Sequence, residues 1–84
     1  MTKNIFFFYL NDKIQADAEM KTGAEIKALI KIAVPVFELQ HELVQEGKGN
    51  DPDKLIADGD VVDLSEKHGR PKHFFSRPPT NFGM

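Results

Sequence analysis

The sequence opens on a short apolar run, Asn4 to Leu10, in which aromatic and branched side chains fill consecutive positions. Such a run favours the pleated surface, and the pattern predicts a strand. Alternation sorts it into two apolar sets: Phe6, Phe8 and Leu10 on one face, Ile5, Phe7 and Tyr9 on the other. The first set is expected to pack in the core under a helix. The second is expected to form an outer surface, covered by the segment around Phe74 and Phe75 or offered to a partner. Asn11-Asp12 supplies a turn, since both residues tolerate left-handed backbone angles. Lys13 to Glu19 runs back as a more polar strand, which makes a hairpin.

The period then changes. Thr22-Gly23-Ala24-Glu25 fits a capping box, in which the hydroxyl and the carboxylate each satisfy one orphan backbone N–H. Ile26, Leu29, Ile30 and Ala33 recur at helical spacing and form one apolar stripe. Pro35 disfavours helical geometry at Val34, so the helix is expected over Thr22 to Ala33. Phe37, Leu39, His41 and Leu43 alternate with polar residues and predict a third strand over Phe37 to Val44. Gly47 to Asn50 reads as a loop and Asp51-Pro52-Asp53 as a turn. A short irregular piece burying Leu55 and Ile56 follows. Asp58-Gly59-Asp60 is a tight turn into a strand over Val61 to Leu64. Glu66 to Lys72 reads as a loop, and His73 to Ser76 as an extension of the last strand or a further short one.

A hairpin, a helix crossing the sheet and then more strands give an α+β domain of the β-grasp, ubiquitin-like type. Its sheet is mixed, with one main helix packed on one face. Leu29 is expected to pack with Ile26 and Ile30 on Phe6, Phe8, Leu10, Leu39, Val62 and Leu64. The domain is expected over residues 1–76, with a C-terminal tail over 77–84.

The tail has its own character. Pro78 and Pro79 donate no backbone hydrogen bonds and favour extended chain. Thr80, Asn81 and Gly83 leave Phe82 almost alone as an apolar residue. Gly83 can enter a slot that a side chain would block. Net charge is −2, but it is unevenly spread. All 13 acids lie in residues 1–66, whereas Lys67, Arg70, Lys72 and Arg77 follow with no acid among them. A basic tail on an acidic body points to an acidic or phosphate-bearing partner, or serves solubility.

Candidate chemistry is sparse. With no cysteine, disulfides, thiolate metal sites and a thioester-forming nucleophile are excluded within this chain. His41, His68 and His73 have no companion ligands that would make a metal site, so none is expected. Asp58, Asp60 and Asp63 read as turn and edge residues. Gly47-Lys48-Gly49 lacks the frame of a phosphate loop. Too few aromatics lie outside the sheet to favour single-stranded nucleic acid. No segment is long and apolar enough to span a bilayer, and no signal-peptide pattern leads the chain. A cytoplasmic, non-enzymatic protein without cofactor, nucleic-acid partner or membrane partner is expected.

Several segments together resemble the bacterial ubiquitin-like modifiers, the multi-ubiquitin type encoded beside activating-enzyme, conjugating-enzyme and deubiquitinase-like genes. They are Tyr9-Leu10-Asn11-Asp12-Lys13 at the hairpin, Met20 to Ile26 at the helix start, Asp58 to Leu64 at the late strand, and the ending His73 to Asn81. The resemblance implies a modifier whose C-terminal glycine carboxylate is adenylated with ATP by an activating enzyme. It would then pass through an enzyme-bound ester to an amine or hydroxyl of a target protein, in antiviral defence. Asp12 stands where the family often has Gly. The end, Phe82-Gly83-Met84, is not Gly-Gly. Either a deubiquitinase-like peptidase removes Met84 and leaves Gly83 as the conjugation terminus, or a different end is used. Arg77, Pro78, Pro79 and Phe82 would be read as the tail enters the enzyme. Ile5, Phe7 and Tyr9 are the expected partner surface. Two other readings stay open: a β-grasp sulfur carrier with a C-terminal thiocarboxylate, and a non-covalent adaptor.

Overall fold

The computed structural model describes residues 5–65 and 71–79. Strand β1 (Ile5–Tyr9) turns through Leu10-Asn11 into β2 (Asp12–Ala16), and the two pair antiparallel. A short strand β3 (Met20–Thr22) leads into helix α1 (Gly23–Ala33). After a looped stretch come β4 (Glu42–Gln45), β5 (Lys54–Ile56), β6 (Val61–Asp63) and β7 (His73–Arg77). The main sheet has the order β2-β1-β7-β4-β5, with β1 and β7 parallel and the other pairs antiparallel. Strands β3 and β6 form a separate two-stranded sheet. The chain is a small α+β domain, a mixed five-stranded sheet with one helix packed on it, and it is β-grasp-like. Among the described residues, no helix is long and apolar enough to cross a membrane.

The helix starts where the capping box requires. The Thr22 hydroxyl accepts from the Glu25 backbone N–H, and the Glu25 carboxylate accepts from the Thr22 N–H. Gly23 is needed for a different reason. A Cβ there would sit 2.2 Å from the Ala57 carbonyl oxygen, so the first turn can lie close against the β5–β6 connection only with glycine. Ile26 and Ile30 are fully buried, and Leu29 is half-buried against the same core.

The two faces of β1 are the reverse of the sequence expectation. Phe7 and Tyr9 face the helix and are buried, Phe7 completely, while Phe6 and Phe8 lie on the outward face, each half-exposed. Cross-strand neighbours decide this. Phe7 stands opposite Ile14, and Ile5 opposite Ala16, so these rungs are apolar throughout. Phe6 stands opposite Gln15, and Phe8 opposite Lys13. Turning the other set inward would bury Lys13 and Gln15, at a desolvation cost that no apolar gain on this strand offsets. The Phe7 ring also meets Phe74 of β7 edge-on, at 5.5 Å between centroids. Phe74 therefore lies in the core beside Phe7 and does not cover an outer surface.

The expected strand over Phe37 to Val44 is mostly loop. Pro35 sets a turn closed by the Phe37 N–H to the Val34 carbonyl at 2.9 Å. The Lys31 ammonium ties that turn down by donating to the carbonyls of Pro35 (2.7 Å) and Phe37 (2.8 Å). Phe37 is buried against Tyr9, but Leu39 is exposed, outside the packing expected for it. Pairing begins only at Glu42. The late strand over Val61 to Leu64 buries Val62 and Leu64 as expected, though its partner is β3. The irregular piece is a strand, β5, that buries Ile56 and exposes Leu55.

Candidate functional site

Strand β7 brings the tail into the middle of the sheet and out at one end. It lies between β1 and β4, and its last residue, Arg77, stands opposite Glu42. Arg77 Nε donates to Glu42 Oε1 at 2.7 Å, a pair at the surface that fixes where the chain leaves the sheet. One residue earlier, the Ser76 hydroxyl lies 2.7 Å from the Tyr9 hydroxyl. Pro78 and Pro79 follow, both exposed. These contacts make a root for the tail. Phe82, Gly83 and Met84 lie outside the described residues, as do His68, Lys67 and Arg70.

The outward sheet face is the second feature. Its Phe6 and Phe8 rings meet edge-on at 5.8 Å. His73 stacks on Phe8 at 4.9 Å, and the Lys13 ammonium sits 4.2 Å above the Phe6 ring. On the neighbouring rungs the registers place Phe75 beside Val44 and Val44 beside Leu55. Val44 is almost fully buried, yet it is not among the residues of the helix-facing cluster. An apolar rung thus crosses β7, β4 and β5 on the face away from the helix. At the hairpin tip Leu10 is 59% exposed and has φ of +56°, a left-handed angle that a leucine adopts only at a cost.

The residues expected as a partner surface are therefore not together on the outside. Phe7 and Tyr9 are core, and Ile5 packs half-buried against that core. The outward apolar residues are Phe6, Phe8, Val44, Leu55 and Phe75. The signal that finds them is the polar partner set of β2, Lys13 and Gln15, read against β1. Neither Val44 nor Leu55 has such a signal, because their strands are short.

Other candidate chemistry is accounted for locally. Gly47-Lys48-Gly49 is a turn in which the Gly47 N–H already donates to Asp53 Oδ1 at 2.9 Å. It borders a shallow cleft of about 320 Å³ that Lys48, Lys72 and His73 help to line. Asp58 pairs with the nearly buried Lys27 at 3.0 Å, and Lys27 also donates to the Leu39 carbonyl at 3.3 Å. Asp60 accepts from the Ala57 N–H, and Asp63 from the Ser65 N–H. Among the described residues, no three histidines or carboxylates gather to hold a metal ion. Asp17 and Lys21 form an exposed pair at 2.6 Å. Its hydrogen bond holds the Asp17 carboxyl below the usual range and raises the Lys21 ammonium above its own. Searches of protein-family models, curated proteins and solved structures find no match to this chain.

Proposed function

We propose that this protein is a ubiquitin-like modifier, and that Gly83 becomes its reactive terminus once Met84 is removed. The observation that carries the reading is the root of the tail. A central strand ends at Arg77 in a surface ion pair, and two exposed prolines continue from it. A rigid domain with a stiffened exit is what carboxylate activation needs from a substrate. The enzyme grips the fold, and the exit enters a narrow site at low ordering cost. At roughly 3.3–3.6 Å per residue, Gly83 lies at most about 20 Å beyond Arg77. A terminal glycine leaves its carbonyl open to attack, whereas Met84 would put a long side chain beside the adenylate. ATP would supply the adenylate, and the activating enzyme would supply the nucleophile that this cysteine-free chain lacks. A conjugating enzyme would then deliver the modifier to a target protein in a bacterial cytoplasm, as part of antiviral defence.

The test uses the cognate peptidase and activating enzyme. Protein ending at Gly83 is expected to support ATP–pyrophosphate exchange, and Gly83→Pro is not. Equal activation of the chain ending at Met84, with Met84 retained in the adduct, would refute the processing step. One observation favours the adaptor as a second reading: the outward face of Phe6, Phe8, Phe75 and Leu55 is available whether or not the tail reacts. Binding that survives deletion of residues 80–84, with no covalent adduct formed, would favour it. A terminal mass gain corresponding to one oxygen replaced by sulfur would instead identify a sulfur carrier.

A further inference from the structure

The end of the sheet from which the tail leaves carries three large exposed apolar residues from three different parts of the chain. Leu10, at the β1–β2 turn, is 59% exposed, Val36 is 83% and Leu39 is 51%. Each is tied to the tail root by a printed contact or by chain adjacency. The Leu10 N–H donates to the Phe74 carbonyl of β7 at 3.0 Å. Val36 precedes Phe37, whose ring packs on Tyr9 at 5.3 Å, and Tyr9 reaches Ser76 through its hydroxyl. Leu39 lies three residues before Glu42, the partner of Arg77. Both Leu10 and Val36 are also held in place. Leu10 keeps its left-handed backbone, and the Val36 turn is clamped by the Lys31 ammonium on both sides. Solvent alone gives no reason to hold large apolar side chains outward on fixed turns.

Chain length then limits what can meet them. The reactive carbonyl lies at most about 20 Å from Arg77 at full extension. An enzyme that encloses that carbonyl together with ATP must therefore bring the mouth of its channel against this end of the domain. We propose that the activating enzyme docks an apolar rim of its channel mouth on a collar formed by Leu10, Val36 and Leu39 around the tail root. It thus recognises the folded end as well as the tail. This rests on the reading of Gly83 as the reactive terminus.

The test is ATP–pyrophosphate exchange with full-length protein ending at Gly83, as a function of its concentration. The collar variant carries Leu10→Asn, Val36→Ser and Leu39→Ser, asparagine being chosen because it tolerates the left-handed angle. The control is Met20→Ser, on the two-stranded sheet and exposed to a similar degree. The collar variant should raise KM by about tenfold or more, the range of a lost apolar anchor, with kcat unchanged. The control should leave both constants unchanged, and both variants should keep the wild-type urea midpoint. Val36→Ser alone should give a smaller rise in KM, and it serves if the triple variant does not fold. An unchanged KM in the collar variant overturns the proposal. So does an equal rise in the control, or a peptide of residues 77–83 that is activated with the KM of the whole protein. If wild-type protein ending at Gly83 supports no exchange, the modifier reading itself fails and this inference falls with it.

Discussion

Replacing Phe7 by alanine should be the most informative perturbation of this fold, because it tests which face of β1 is inside. The Phe7 side chain has no exposed surface and packs edge-on against Phe74, with ring planes at 90°. Truncating a fully buried phenylalanine costs about 3–5 kcal/mol, the transfer free energy plus the cavity left behind. At about 0.05–0.15 kcal/mol per residue, a chain of 84 residues has a total stability of roughly 4–13 kcal/mol. The variant should therefore be close to unfolding. Phe6→Ala is the comparison, one residue away on the same strand. Its ring is half-exposed and its named partners are Phe8 and the Lys13 ammonium. Partial burial and one cation–ring contact together are worth about 1–1.5 kcal/mol. Urea unfolding followed by circular dichroism separates the two. With a slope of about 1–2 kcal/mol/M, Phe7→Ala should lower the midpoint by about 2–3 M and Phe6→Ala by about 1 M or less, both with the slope unchanged. A Phe6→Ala loss equal to or larger than that of Phe7→Ala would refute the assignment of faces.

Leu29→Ala should cost only about 1–2 kcal/mol in the same assay, since the side chain is half-buried and so forfeits about half the cost of a fully buried leucine. Leu10→Gly should raise the midpoint by an amount equivalent to about 1 kcal/mol, because glycine adopts φ of +56° without strain; a lower midpoint would mean the leucine makes contacts that outweigh the strain. Thr22→Ala should lower stability by about 1 kcal/mol by removing one half of the capping box, and Thr22→Ser should restore most of it. The depressed Asp17 and the raised Lys21 should contribute stability only between the ordinary carboxylate and lysine ranges. That contribution is lost as pH falls through the Asp17 value or rises through the Lys21 value, so Asp17→Asn and wild type should converge in midpoint at low pH.

The helix could be read directly from the sequence, because everything that defines it is local. Thr22 and Glu25 cap one end, Ile26, Leu29 and Ile30 give the period, and Pro35 stops it, all within one short stretch. The β-grasp order of elements could be read for the same reason, as could the tail's distinct composition. Local pattern did not decide the parity of β1, since both of its faces are apolar. Only pairing with Ile14 and Ala16 on one side and Lys13 and Gln15 on the other broke the tie. Nor did it reveal that alternation after Phe37 was coincidental, because the Lys31 ammonium that holds the loop comes from the preceding helix. The outward rung of Phe75, Val44 and Leu55, and the collar around the tail root, are tertiary outcomes. Each gathers residues from strands or turns far apart in the chain, and strand order and register, not local preference, bring them to one face or one end.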